Sequence, residues 1–301
     1  MTPPLNKSAD DQALCEEVKM RSNSNSKLSG KRYLLTGASR GLGSLALEEM
    51  IKSGATVICV ARNLKRLGTL QEQLGSRMIC ASRDLSDLDG LCEWAGEINH
   101  QYGPFDGVIH NAGIDDFQSM TLMKPDAIQH QINLNLTAPI LINRALLPSL
   151  LERNQEAVII HMSSVAGLIP TPFGSVYSAT KSGLTYYNEA LAIELGNSPI
   201  RLVTLHPGFV HGVGMHEAHK AKVGRAPLLM GGTTDQAVVK ALMKALTRGA
   251  GRKIINRFAV RPLAGLATIA PLLTRWLSRW ITYPYLSRVA ASHSESTHLD
   301  E

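Results

Sequence analysis

The feature that most limits what this chain can become is the alternation, from residue 31 onward, of short apolar runs with longer helical patterns. Runs at 33–36, 56–60, 78–81, 107–110, 157–161, 200–206 and 253–256 are rich in Val, Ile and Leu with few polar interruptions. A short strand that is apolar on both faces belongs inside a parallel sheet covered on both sides; a sheet with one wet face would alternate polar and apolar residues. The intervening segments 42–53, 63–74, 87–101, 125–152 and 175–196 carry helical spacing. Repeated β–α units predict a doubly wound, Rossmann-like α/β domain with a seven-stranded parallel sheet. Its crossovers are right-handed, and ligands bind at the C-terminal ends of the strands. No internal repeat of solenoid period is present.

Of the 301 residues, 44% are apolar and 19% charged, enough for one sizeable core and unlike a disordered chain. Residues 1–29 read as a polar, flexible tail containing Ser22-Asn23-Ser24-Asn25-Ser26. Residues 30–258 read as the catalytic domain and 259–301 as a C-terminal amphipathic helical extension. Cys15, Cys59, Cys80 and Cys92 form no C-x-x-C pair and read as reduced thiols. The N-terminus lacks a basic segment followed by an apolar one, and no stretch reaches the roughly 18 apolar residues of a membrane span, so a cytoplasmic location is expected.

The first strand runs into Thr36-Gly37-Ala38-Ser39-Arg40-Gly41-Leu42-Gly43 and then a helix. Glycines at such a turn let a phosphate approach the backbone, and the helix start offers free N–H groups and a positive dipole end. The second strand ends in Ala61-Arg62, without the acid that bonds an NAD ribose. With Arg40 and Arg62 flanking the site, a 2′-phosphate is welcome, and NADP(H) is the expected cofactor.

Tyr177 and Lys181 are four residues apart, one turn along the same helix face. An ammonium beside a phenol favours phenolate and prepares Tyr177 for acid/base work. Ser164 follows the fifth strand, thirteen residues before Tyr177, where its hydroxyl can bond a substrate oxygen. Asn135 sits among Ile132, Leu134 and Leu136, a position that needs hydrogen-bond partners if buried.

In this order and spacing, the glycine turn, Asp84, Asn111-Ala112-Gly113, Asn135, Ser164, Tyr177-x-x-x-Lys181 and Pro207-Gly208 resemble the short-chain dehydrogenase/reductase family over residues 31–256, roughly three quarters of the chain. The resemblance implies that Tyr177 is the general acid/base, that Lys181 lowers its pKa and bonds the nicotinamide ribose, that Ser164 orients the carbonyl and that Asn135 holds a relay water. It implies cofactor contacts for Thr36, Gly37, Ser39, Arg40, Gly41, Leu42 and Gly43, for Arg62, Asp84 and Leu85, for Asn111, Ala112 and Gly113, and for Pro207, Gly208 and Val210. Two departures stand out. Gly212 occupies the place of a Thr that often contacts the carboxamide, so that contact is lost or taken over by His211. His110-Asn111 replaces the common Asn-Asn.

Residues 209–232 read as a mobile substrate loop. His206, His211, His216 and His219 have no accompanying Cys or acid cluster, so no metal is expected. The net charge is +6, and residues 236–294 hold ten basic residues and no acid. The same region carries Leu263, Leu266, Ile269, Leu272, Leu273, Trp276, Leu277, Trp280, Ile281, Tyr283 and Tyr285, an amphipathic pattern interrupted near Pro271. Stretch 263–285 therefore reads either as a membrane-surface helix or as a helix packed on the pocket or a partner subunit. No nucleic-acid recognition motif accompanies the charge.

The expected activity is NADP(H)-dependent interconversion of a carbonyl and a secondary alcohol on a bulky apolar substrate, by a homodimer or homotetramer. The alternatives are a non-catalytic NADP(H)-binding scaffold or sensor and a dehydratase or epimerase on the same fold.

Overall fold

The computed structural model describes residues 27–213, 223–224, 231–256 and 260–297. Strand β1 (Arg32–Thr36) leads through α1 (Gly41–Lys52), β2 (Thr56–Ala61), α2 (Leu64–Leu74), β3 (Met78–Ser82) and α3 (Leu91–Tyr102) to β4 (Gly107–His110). A helical run follows, made of α4 (Pro125–Ile132), a π-helical turn (Asn133–Thr137) and α5 (Ala138–Glu152). Next come β5 (Ala157–Met162), a 3-10 turn (Val165–Gly167), α6 (Ser175–Leu195), β6 (Ile200–Pro207) and the short β7 (Val210–His211). The chain continues through β8 (Thr233–Thr234), α7 (Asp235–Thr247), β9 (Gly251–Ile255), α8 (Val260–Ile269), α9 (Pro271–Ile281) and α10 (Tyr283–Thr297).

Seven strands form one parallel sheet in the order β3-β2-β1-β4-β5-β6-β9. This is the doubly wound Rossmann-like fold that the alternation predicts. The chain builds outward from β1 to β3, then crosses back to β4. The turns after β1 and β4 therefore diverge and open a crevice at the C-terminal strand ends. The all-apolar strands are explained by their two covers. Leu35, Val57 and Leu205 pack against Leu47 and Met50 of α1 and Val238 and Leu242 of α7. Leu34, Ile58, Val108 and Ile159 pack against Leu91 of α3, Ile142 and Leu146 of α5 and Leu191 of α6. At about 1.5–3 kcal/mol per buried Leu or Ile, these two layers are the main source of stability.

Helix α7 is absent from the sequence reading, although Thr234 caps it by accepting a hydrogen bond from the Ala237 N–H at 3.2 Å and Val238, Leu242, Ala245 and Leu246 lie on its buried stripe. The neighbouring glycine-rich loop masks that signal. Residues 1–26 of the expected tail lie outside the described residues. Leu28, inside that expected span, is buried against the first core layer, and its N–H donates to Ser53 O. Run Pro125–Glu152 is long and apolar enough to cross a membrane by composition. It is instead a core helix here, burying Asn135, Ala138, Ile142, Asn143 and Leu146. Cys59, Cys80 and Cys92 are free thiols; Cys15 lies outside the described residues.

Candidate active site

The crevice is a cavity of about 880 Å³ running from the β1 turn to the C-terminal helices. At one end, Gly37, Ser39, Arg40, Gly41, Leu42 and Gly43 form its floor. A Cβ at Gly43 would sit 2.1 Å from Gly37 O, so no other residue fits this turn. Arg40 is at the N-cap of α1 and its side chain caps none of the helix N–H groups. Arg62 and Asp84 line the same end and pair at 3.6 Å across exposed ground. Burial works against the Asp84 carboxylate, but hydrogen bonds from the Ser86 hydroxyl and N–H, with Arg62 nearby, hold it below the usual range.

Thr36 is buried away from the cavity. Its hydroxyl accepts from the Asn111 N–H (3.0 Å) and the Ala112 N–H (3.1 Å), while the Asn111 amide donates to Thr36 O and Gly37 O. These bonds staple the two diverging turns together. Leu85, Asn111, Ala112, Gly113, Pro207, Gly208 and Val210 all line the cavity.

Ser164, Tyr177 and Lys181 converge in the middle. Ser164 follows β5 with extended backbone, and its Oγ accepts from the Ala166 N–H at 3.1 Å and favours the ionised form of the neighbouring Tyr177 phenol. Lys181 Nζ lies 5.8 Å from the Tyr177 ring centre and donates to Met162 O at 2.9 Å. Asn135 lies in the π-helical turn, a distortion frequent at functional sites. Its amide accepts from the Ile114 N–H (2.9 Å) and donates to Ile114 O (2.8 Å) and the Thr180 hydroxyl (3.3 Å). It thus ties the segment after β4 to α6. Gly113 fits between: a Cβ there would lie 3.1 Å from Asn135 Oδ1 and 3.2 Å from Lys181 Nζ.

The electrostatics differ from the sequence expectation. Burial and the Asp115 charge push the Tyr177 phenol well above its ordinary value, against the lowering influence of Ser164. Burial lowers the Lys181 ammonium to about 8, with Asp115 pulling the other way. In the chain alone, burial and Asp115 outweigh the expected lowering of Tyr177 by Lys181.

A buried polar chain supports this centre from below. His110 Nε2 donates to Asn143 Oδ1 at 2.7 Å, and the Asn143 amide donates to His161 Nε2 at 3.1 Å. His161 Nδ1 then donates to Asn188 Oδ1 at 2.8 Å, and the Asn188 amide donates to Thr204 Oγ1 at 2.8 Å. The two imidazoles stack at 4.8 Å. Separately, Thr185 and Ser163 hold the Lys181 main chain, donating to its carbonyl at 2.7 Å and 3.0 Å.

A family model for the short chain dehydrogenases matches residues 31–223. The chain belongs to the short-chain dehydrogenase/reductase family. A ketoacyl reductase, HetN, from Nostoc sp. is 33% identical over 264 residues, covering 84% of this chain and 90% of its own length. The 3-oxoacyl-acyl-carrier-protein reductase FabG from Vibrio harveyi is 30% identical over 183 residues, covering 61% of this chain and 75% of its own. A solved metagenomic short-chain oxidoreductase in complex with NADP superposes with a TM-score of 0.65 at 26% identity, covering 76% of this chain and 97% of that one. The present chain is accordingly a short-chain dehydrogenase/reductase oxidoreductase, of a family that uses NAD(P)(H).

Two features of this short-chain dehydrogenase/reductase were not legible beforehand. His211 is exposed on β7 and is not among the cavity-lining residues, whereas Val210, Gly212 and Val213 are. His216 and His219 lie outside the described residues, and among the described residues no cluster of three metal-ligating side chains occurs. Asp115 lines the cavity, and burial pushes its carboxyl up to about 7, offset by Lys181. Its negative charge raises both Tyr177 and Lys181. Asp115→Asn removes that charge, so both groups should titrate at lower pH. The alkaline limb of kcat/KM for ketone reduction should then move to lower pH, while cofactor affinity stays near wild type. An unmoved limb in a pH–rate profile refutes the coupling.

Proposed function

We propose that this oxidoreductase is NADP(H)-dependent and interconverts a ketone and a secondary alcohol on a bulky apolar substrate. The observation that carries the reading is the convergence of Ser164, Tyr177 and Lys181 on one cavity, with the Lys181 ammonium 5.8 Å from the Tyr177 ring centre. When bound, the nicotinamide supplies or accepts the hydride. The Ser164 and Tyr177 hydroxyls donate to the carbonyl oxygen as negative charge develops there, and Tyr177 passes its proton to that oxygen. Lys181 and a water relay at Asn135 restore the proton. Arg40 and Arg62 favour NADP(H), since guanidinium groups bond a 2′-phosphate and no acid replaces them at the end of β2.

The far end of the cavity supports an apolar substrate: Phe117, Ile169, Phe209, Leu263, Ile281 and Leu286 line it. The two reductase relatives act on oxoacyl groups by name, and a ketone on a long acyl-type chain fits such walls. We place the protein in the cytoplasm at a membrane surface, as a homodimer or homotetramer pairing through 125–152 and 175–195. Fluorescence titration with NADPH and NADH tests the cofactor. Arg62→Ala should weaken NADPH by roughly 10–100-fold, the worth of a charge-assisted bond, and leave NADH almost unchanged. Equal binding of both cofactors by the wild type would sink the NADP(H) assignment.

A further inference from the structure

We infer that the α8–α9 corner seats the enzyme on an anionic lipid bilayer, and that the apolar substrate reaches the cavity from that bilayer. The second half rests on the apolar-ketone reading above; the first does not. The carrying observation is that α9 is folded inside out for a helix packed on a globular domain. The side chains it buries most deeply are polar, Thr274 and Ser278. The large apolar ones point to solvent: Leu272 is 74% exposed, Trp276 58% and Trp280 68%, with Ile269 at the corner 84% exposed. Leu272, Trp276 and Trp280 follow one another at four-residue spacing and make one continuous stripe. Water is a poor partner for this surface, and so large an apolar stripe marks an interaction face.

Charge selects the partner. Arg275 and Arg279 form the next stripe on α9, Arg261 and Arg288 are exposed on the flanking helices, and residues 236–294 contain no acid. Indoles bordered by arginines suit the headgroup–acyl boundary of an anionic membrane, where the rings sit below the headgroups and the guanidinium groups bond phosphates. Length decides the mode. The eleven residues of α9 span only about 16 Å as a helix, against roughly 30 Å of hydrocarbon, so α9 lies in the interface and does not cross it.

The opposite side of the same helices walls the cavity, through Leu263 of α8 and Ser278 and Ile281 of α9. The lipid-facing stripe and the substrate space are thus separated by one helix, about 10–12 Å across. A ketone dissolved in the bilayer enters next to its site without passing through water.

The test is co-sedimentation of the full chain with phosphatidylcholine vesicles, with and without phosphatidylglycerol. Parallel assays measure turnover of a water-soluble ketone and of a ketone carried in the vesicles. The wild type should bind the anionic vesicles and release them at high salt. Arg275→Gln with Arg279→Gln should weaken partition by roughly thirtyfold. Trp276→Ser with Trp280→Ser should weaken it by about tenfold or more. Both double variants should retain NADPH binding and soluble-ketone turnover, and lose turnover of the embedded ketone. Failure to bind anionic vesicles overturns the inference. So does partition indifferent to both double variants, or a wild-type oligomer that the tryptophan variant dissociates, since a second copy would then own the face. Vesicle binding by a chain that reduces no ketone supports the docking surface and removes only the reductase reading.

Discussion

Tyr177→Phe should lower kcat for ketone reduction by at least about a hundredfold, and by up to ten-thousandfold, the range of a positioned general acid, while NADPH affinity stays close to wild type. The substitution is nearly isosteric. The ring keeps its place 6.0 Å from Phe117 and its packing against Tyr285, Leu286 and Val289. Only the hydroxyl is lost, and with it the interaction with Ser164. The raised phenol gives the effect a direction. A phenol held protonated by burial and Asp115 is ready to donate in reduction, whereas alcohol oxidation needs phenolate. Steady-state kinetics with a saturating ketone, alongside fluorescence titration of NADPH, reads both quantities. A variant that keeps more than about a tenth of wild-type kcat would show that another group protonates the product, and the assignment of Tyr177 would fall.

The parts of this molecule legible in its sequence are those where local chemistry and global fold agree. Runs such as 56–60 read as buried strands because both neighbouring layers demand apolar side chains. The glycine turn reads as a phosphate site because Gly43 has no room for a Cβ. What escaped depends on tertiary company. Asp115 is one of two adjacent acids in the sequence; only the fold lays it in the cavity wall under the influence of Lys181. His110 and His161 stand near the ends of separate strands, and only the register of β4, β5 and β6 brings them level with each other and with Thr204. The amphipathic pattern of 263–285 was visible, but periodicity does not say which face turns inward. The structure splits it: Tyr285, Ile281 and Leu263 go to the core and cavity, Trp276 and Trp280 to solvent.

The fold should lose about 2 kcal/mol of stability or more between pH 7 and pH 5, with the midpoint of thermal unfolding falling by several degrees. Three histidines drive this. Burial lowers His110 to about 4, against the hydrogen bond to Asn143. Burial, with His110 and Lys181 adding to it, takes His161 well below its ordinary 6.5. Burial, with Arg252 and Lys181, lowers His206 to about 3. Each is neutral in the fold and takes a proton once unfolded, so its stabilisation is complete above pH 6.5 and declines as pH falls toward the folded value. At pH 5 His110 and His206 have each lost about 2 kcal/mol, and His161 adds to the loss in the same direction. Asp115 opposes them. Its folded value near 7 lies above the unfolded 3.8, so the native state binds the extra proton and regains about 2 kcal/mol over the same interval. The depressed Asp84 and Asp106 act only below their ordinary 3.8 and stay out of the window. Urea unfolding at pH 7 and pH 5 measures the difference, and Asp115→Asn checks the balance: without the opposing proton the acid loss should deepen by about 2 kcal/mol. A midpoint equal or higher at pH 5 would mean that the three imidazoles are charged or solvated in the native state, and the hydrogen-bonded chain beneath Lys181 would have to be redrawn.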